Sequence, residues 1–176
     1  MKPMHFVVVA ILAVVSTIAA ITSYAANNTW SQGRVAGSRM FPGLAAEAGK
    51  VVAIEVRQGG KQVTLEKTDN AWRLKERGGY PVIGEKVRSL MVSLAEADLV
   101  EAKTRVADRY TLIELEDPAG KDAKSRGVRL LDGKGSVVAE AVVGKKRGDA
   151  FGYGKGGTYV RKPGDAQTWL ANAEIV

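Results

Sequence analysis

From Phe6 to Ala26 the chain reads FVVVAILAVVSTIAAITSYAA, a run without a single charge. At about 1.5 Å per residue it would reach roughly 30 Å as a helix, the thickness of a bilayer's hydrocarbon core. Lys2 and the terminal amine stand in front of it, as an export signal requires. Two readings follow. Ser23-Tyr24-Ala25 places small residues where a signal peptidase reads, which would allow cleavage after Ala25. The apolar run, however, exceeds the roughly 7–15 residues of an ordinary signal-peptide core. A retained transmembrane anchor over residues 1–26 is therefore expected, followed by a juxtamembrane linker over 27–50 and one extracytoplasmic domain over 51–176. Arg34 and Arg39 blur the positive-inside asymmetry, but a long domain is translocated largely regardless of such flanks. The expected location is the inner (cytoplasmic) membrane, single-pass, with the domain on the periplasmic side.

Roughly 150 residues follow the apolar block, the size of one domain that can bury about 70% of its unfolded surface. There is no cysteine, which excludes disulfides, thiolate metal sites and cysteine nucleophiles. The one histidine is His5, in front of the apolar run, so the domain has none for acid–base work or for a zinc or iron site. The net charge of +7 is uneven: residues 27–118 carry 14 basic and 13 acidic side chains, whereas residues 119–162 carry 11 and 4. A basic second half would attract anionic lipid, nucleic acid or an acidic protein face.

Residues 27–50 mix Gly, Ser, Asn and Pro with isolated apolar residues, with room for one short helical turn at Leu44–Ala48. Regular pattern starts at Val51. In VVAIEVRQ, Val52, Ile54 and Val56 alternate with polar or small residues, the period of a half-buried strand. Gly59-Gly60 supplies a tight turn, KQVTLEK returns with Val63 and Leu65 on one face, and Asp69-Asn70 turns into Ala71–Leu74. This spacing predicts a three-stranded meander. The period then changes: Val87, Leu90, Met91 and Leu94 recur at i, i+3, i+4 and i+7, predicting a helix over Gly84–Ala95 that covers the meander. A mixed stretch after Leu99-Val100 holds one helical turn at Ala107–Tyr110 and ends at the turn signal Asp117–Gly120. GVRLLD, SVVAEAVVG and TYVR form a second strand set, the middle one apolar enough to be buried on both faces. Asp165 would cap a last short helix carrying Trp169 and Leu170 inward. The expected fold class is α+β: an N-terminal transmembrane helix, then one domain of two antiparallel meanders, each accompanied by a helix.

Few segments carry recognisable chemistry. Gly152-Tyr-Gly154-Lys-Gly156-Gly157 spells G-x-G-x-x-G, but a dinucleotide site needs a helix after it, and TYVRK reads as a strand. Glu114, Glu116 and Asp117 form the densest acidic cluster; it matches no calcium-loop spacing, with Arg105 and Arg109 nearby, and reads as a solvated turn. No serine sits on a strand-to-helix elbow. The remaining candidate is Lys145, Lys146, Arg147, Phe151, Tyr153 and Lys155, where basic and aromatic side chains interleave on a loop and could grip an anionic group. Outside the cytoplasm, lipid headgroups or an acidic protein are better targets for them than nucleic acid.

The stretches VTLEKTDNAWRL, YPVIGEKVRSLMVSLAEADLVEAKTR, LEDP at 115–118, GVRLLDGKG at 127–135, VVGKK at 142–146 and GGTYVRKPGDAQTWL at 156–170 together resemble the bacterial membrane-protein family known as domain-of-unknown-function family 4340. The resemblance spans Val63 to Leu170 in the right order. It implies an anchored protein with its domain outside the cytoplasm. Some members are similar to auxiliary components of ABC-2-type and gliding-motility exporters, and the family offers no catalytic residue to carry over. Many relatives continue into a second module beyond the tryptophan segment.

The sequence thus points to a non-catalytic, membrane-anchored accessory module without cofactor or metal, binding another membrane protein of an envelope assembly or exporter. One alternative is a structural subunit of a larger membrane complex, such as an energy-transducing one, in which Ser16, Thr17, Ala19 and Ala20 let the anchor pack closely. The other is a secreted ligand-binding protein or hydrolase.

Overall fold

A computed structural model describes residues 34–152 and 154–175, together with Ser16. The apolar run 6–26, read above as the anchor, otherwise lies outside the described residues. Among the described residues no helix is long and apolar enough to cross a membrane.

The domain is built on a single ten-stranded antiparallel sheet. Its strands in chain order are β1 (Arg34–Arg39), β2 (Val51–Gln58), β3 (Lys61–Thr68), β4 (Ala71–Leu74), β5 (Tyr80–Pro81), β6 (Asp98–Ala102), β7 (Arg126–Asp132), β8 (Val137–Arg147), β9 (Gly157–Arg161) and β10 (Thr168–Ala171). In space they run β1-β6-β10-β9-β8-β7-β2-β3-β4-β5. Within residues 34–152 and 154–175 two α-helices accompany them, α1 (Leu44–Glu47) and the long α2 (Gly84–Glu96), besides short 3-10 turns. This corrects the expected α+β fold. The two meanders are halves of one sheet, joined where β2 pairs with β7 over Ile54↔Leu130 and Val56↔Val128. The second helix does not exist, since Trp169 and Leu170 sit on β10, opposite Val160 and Tyr159 of β9.

The sheet buries both faces. On one, Ile54, Leu130, Ala139, Ala141, Val143 and Val160 pack with Val87, Leu90 and Leu94 of α2, Leu44 of α1 and Trp72 of β4. On the other, Val142 packs with Tyr110 and Leu115 from the 3-10 segment Ala107–Ile113 and its exit. Alternate residues of β8 thus serve different cores, as its continuous apolar run requires. Gly144 lies under that 3-10 segment, where a Cβ would meet the carbonyl oxygens of Ile113 and Glu114.

Helix α2 falls one residue longer than its periodicity indicated and turns the expected stripe inward; it lies against α1 and β4. Leu90→Ala should destabilise the domain by roughly 2–5 kcal/mol, the usual cost of truncating a core leucine. A denaturation curve unchanged from wild type would show that the stripe serves some other surface.

The alternation on β2 holds at Ile54 and Val56, but Val51 is buried and Val52 exposed. An irregularity in the β2–β7 register between Val51 and Ala53 shifts the phase there, as one extra residue in a ladder does. Residues 34–50 also do more than link. They supply β1, and both Met40 and Leu44 enter the core almost without exposure. Arg39 pairs with Asp98 of β6 at 3.3 Å, and the Met40 N–H donates to the Ala97 carbonyl at 2.8 Å.

A basic hairpin and a charged cleft as candidate sites

Lys145, Lys146 and Arg147 form the exposed end of β8, and Lys155 stands exposed on the return toward β9. Lys146 lies opposite Thr158 and Arg147 opposite Gly157. The connection between the strands is organised by its own polar groups. Asp149 accepts the Gly154 N–H at 2.8 Å, and the Phe151 N–H donates to the Lys155 carbonyl at 3.0 Å. Phe151 is half-buried, with its ring where a side chain on Gly157 would stand, so it anchors the hairpin. Tyr153 lies outside the described residues. Among the described residues, no acid pairs with the four basic side chains. The G-x-G-x-x-G run is this hairpin loop, and the element following it is β9, so no helix N-terminus faces it.

The acidic cluster at 114–117 is taken up by its own loop. Glu116 accepts the Ser125 N–H at 3.2 Å, the Ser125 hydroxyl donates to the Glu116 carbonyl at 2.8 Å, and Asp117 accepts the Ala119 N–H at 2.9 Å. The resolved titration shifts belong to turns as well. The Lys75 ammonium is raised by its hydrogen bond to Glu66. The Glu76 carboxyl is lowered by the Thr64 N–H, and that of Asp132 by the N–H groups of Ser136 and Lys134.

A second charged site lies on the sheet face that carries Tyr110. Arg57, Gly127, Val142 and Arg161 stand in one cross-strand row from β2 to β9, and Glu55, Arg129 and Glu140 stand in a neighbouring row. With Asp117, Pro118 and Pro163 they line a cleft of about 230 Å³. Gly127 forms its floor: a Cβ there would come within 3.2 Å of Pro118, so the absent side chain admits the proline wall. Arg129 is held by carboxylates, donating to Glu55 at 3.1 Å with Glu140 3.5 Å from its Nε. Arg57 donates only to the Gln62 amide oxygen, at 2.7 Å. Arg161 lies 5.0 Å over the Tyr110 ring and donates to the Leu115 carbonyl at 3.4 Å. The Nε atoms of Arg129 and Arg161 are buried without a hydrogen-bond partner.

The reading of the sequence missed this cleft. Arg129 stands between Val128 and Leu130, and Arg57 and Arg161 each follow a valine, which marks them as facing away from the larger core. Nothing local states that β2 lies beside β7, and only that neighbourhood brings Arg57 near Arg129 and Arg161.

A family model described as a domain of unknown function, DUF4340, matches residues 72–175. The chain belongs to this family. The DUF4340 region starts at Trp72 in β4 and runs through β10, so it contains α2, the basic hairpin, Arg129 and Arg161; Arg57 precedes it. No curated protein and no solved structure matches the chain.

Proposed function

We propose that this DUF4340 domain is a non-catalytic accessory module that docks, through its basic hairpin, on an acidic face of another membrane protein in an envelope assembly. The observation that carries this reading is the cluster of Lys145, Lys146, Arg147 and Lys155, exposed on a hairpin anchored by Phe151 and not matched by acids within the domain. Some other cations of the domain do have acid partners: Lys75 has Glu66 at 2.6 Å, Arg39 has Asp98, and Arg129 has Glu55 and Glu140. A group of like charges without local partners raises the potential around it and steers an oppositely charged surface. The uncharged run 6–26 supports placing the protein at the membrane with the domain outside the cytoplasm. The family resemblance favours an exporter or a related envelope complex as the assembly.

The test is photo-crosslinking from position 148, an exposed glycine beside the basic run, of the full chain in native membranes. Wild type should give a discrete protein adduct that fades as salt rises, since exposed charge pairs are screened beyond about a Debye length. Changing Lys145, Lys146, Arg147 and Lys155 together to Gln should weaken the association roughly tenfold or more, at a few tenths to about 1 kcal/mol per pair, without moving the melting temperature. Crosslinking to lipid alone would assign the hairpin to anionic headgroups. Equal protein adducts from wild type and the quadruple variant would end the docking proposal.

A further inference from the structure

The geometry points to a second, separate site: we infer that the cleft between β2, β7, β8 and β9 binds the oxyanion group, carboxylate or phosphate, of a small molecule, with Arg57 and Arg161 as its ligands. Three arginines line a space of about 230 Å³, yet the nearby carboxylates serve one of them, Arg129. Arg57 and Arg161 have only neutral acceptors, an amide oxygen and a backbone carbonyl. A guanidinium cannot shed its proton at any ordinary pH, and its five N–H groups match two oxygens of one oxyanion in a single plane. Arg161 is half-buried and short of acceptors, whereas buried donors are nearly always satisfied, so an oxyanion would complete its hydrogen bonding.

Arg161 is also preset. Its guanidinium stacks on Tyr110, whose hydroxyl donates to the Ala166 carbonyl at 2.6 Å, so both the ring and the cation above it are held before any ligand arrives. Its Nε is buried with no acceptor among the described residues. Opposite it across the row, Arg57 is exposed at the rim, with Gly127 and Val142 between the two. Glu55, Glu140 and Asp117 around the same space would repel a bare polyanion, which favours a ligand with one oxyanion end and a neutral or cationic remainder.

The test is a titration of the full chain in a neutral detergent, followed by the Nε–Hε NMR signals of its arginines. Phosphoethanolamine and glycine, each an oxyanion with a cationic end, serve as probes, with sodium chloride at matched ionic strength as the reference. A saturable shift of the Arg161 Nε–Hε signal with either probe, absent with chloride, is expected. A shift with phosphoethanolamine alone would assign a phosphate ligand, and with glycine alone a carboxylate. Arg57→Gln, at the exposed rim, should weaken that binding about tenfold while leaving the melting temperature unchanged. Arg161→Lys, which keeps the charge and loses the planar fork, should weaken it at least as much. The quadruple hairpin variant should bind as wild type does, so failure here is separable from failure of the docking proposal. No saturable shift with either probe, or an identical one in Arg57→Gln, would overturn the site.

Discussion

Gly144→Ala is expected to destabilise the domain at or above the upper end of the roughly 1–3 kcal/mol typical of overpacking. The added methyl would fall on two backbone oxygens, those of Ile113 and Glu114, and on the Leu115 side chain. Backbone cannot rotate out of the way as a flexible side chain can. Relief therefore requires the 3-10 segment Ala107–Ile113 to lift from β8, and the small core of Tyr110, Leu115 and Val142 opens with it. Chemical denaturation measures the loss. A second readout is specific: the Arg161 Nε–Hε signal should broaden or move, since Tyr110 is what that arginine stacks on. Wild-type stability in the alanine variant would mean that the segment does not sit on β8 as described.

A larger loss is expected on trimming the chain to begin at Val51, the boundary that hydropathy alone suggests. Met40 and Leu44 are almost fully buried, and each contributes what a large-to-small core change removes, roughly 2–5 kcal/mol. Together that approaches the whole stability of a typical domain, about 5–15 kcal/mol. The trimmed chain also loses β1, exposing the outer edge of β6. Urea denaturation followed by circular dichroism should show either no cooperative transition or one at much lower urea than a chain starting at Arg34. Coincident curves for the two would show that residues 34–50 are dispensable to the fold.

These two effects mark where the sequence could and could not be read. The hairpins β2–β3–β4 and β7–β8 announce themselves through alternation and through turns such as Gly59-Gly60 that only a few residue types accept, and α2 through its 3.6 period. Their partners are another matter. Asp98–Ala102 contains three apolar residues and no clear alternation, yet it becomes β6 because β10 arrives beside it. Asp165 does organise the turn before β10, accepting the Gln167 N–H at 2.8 Å, which is helix-cap chemistry used in a turn. What then sets Thr168 in a strand is Thr104, whose carbonyl accepts from the Thr168 hydroxyl at 2.7 Å. The core role of Met40 is equally invisible, since it stands beside Phe41 in a stretch of Gly, Ser and Pro with no period to show which residue turns inward. The basic hairpin was legible because its signal is composition along one short segment. The arginine cleft was not, because its signal is spread over three strands that meet only in the finished sheet.

The pairing of β6 with β10 has a consequence in time. Asp98 and Asn172, which join the two strands, are 74 residues apart, and so are Glu55 and Arg129 across β2 and β7. Closing such long loops comes before any reward from the contacts, and sheets dominated by distant pairings fold over milliseconds to seconds or longer. During synthesis β6 has no neighbour on the β10 side until residues 168–171 have emerged. A nascent chain therefore carries β6 with that edge unmatched while everything between the two strands is made.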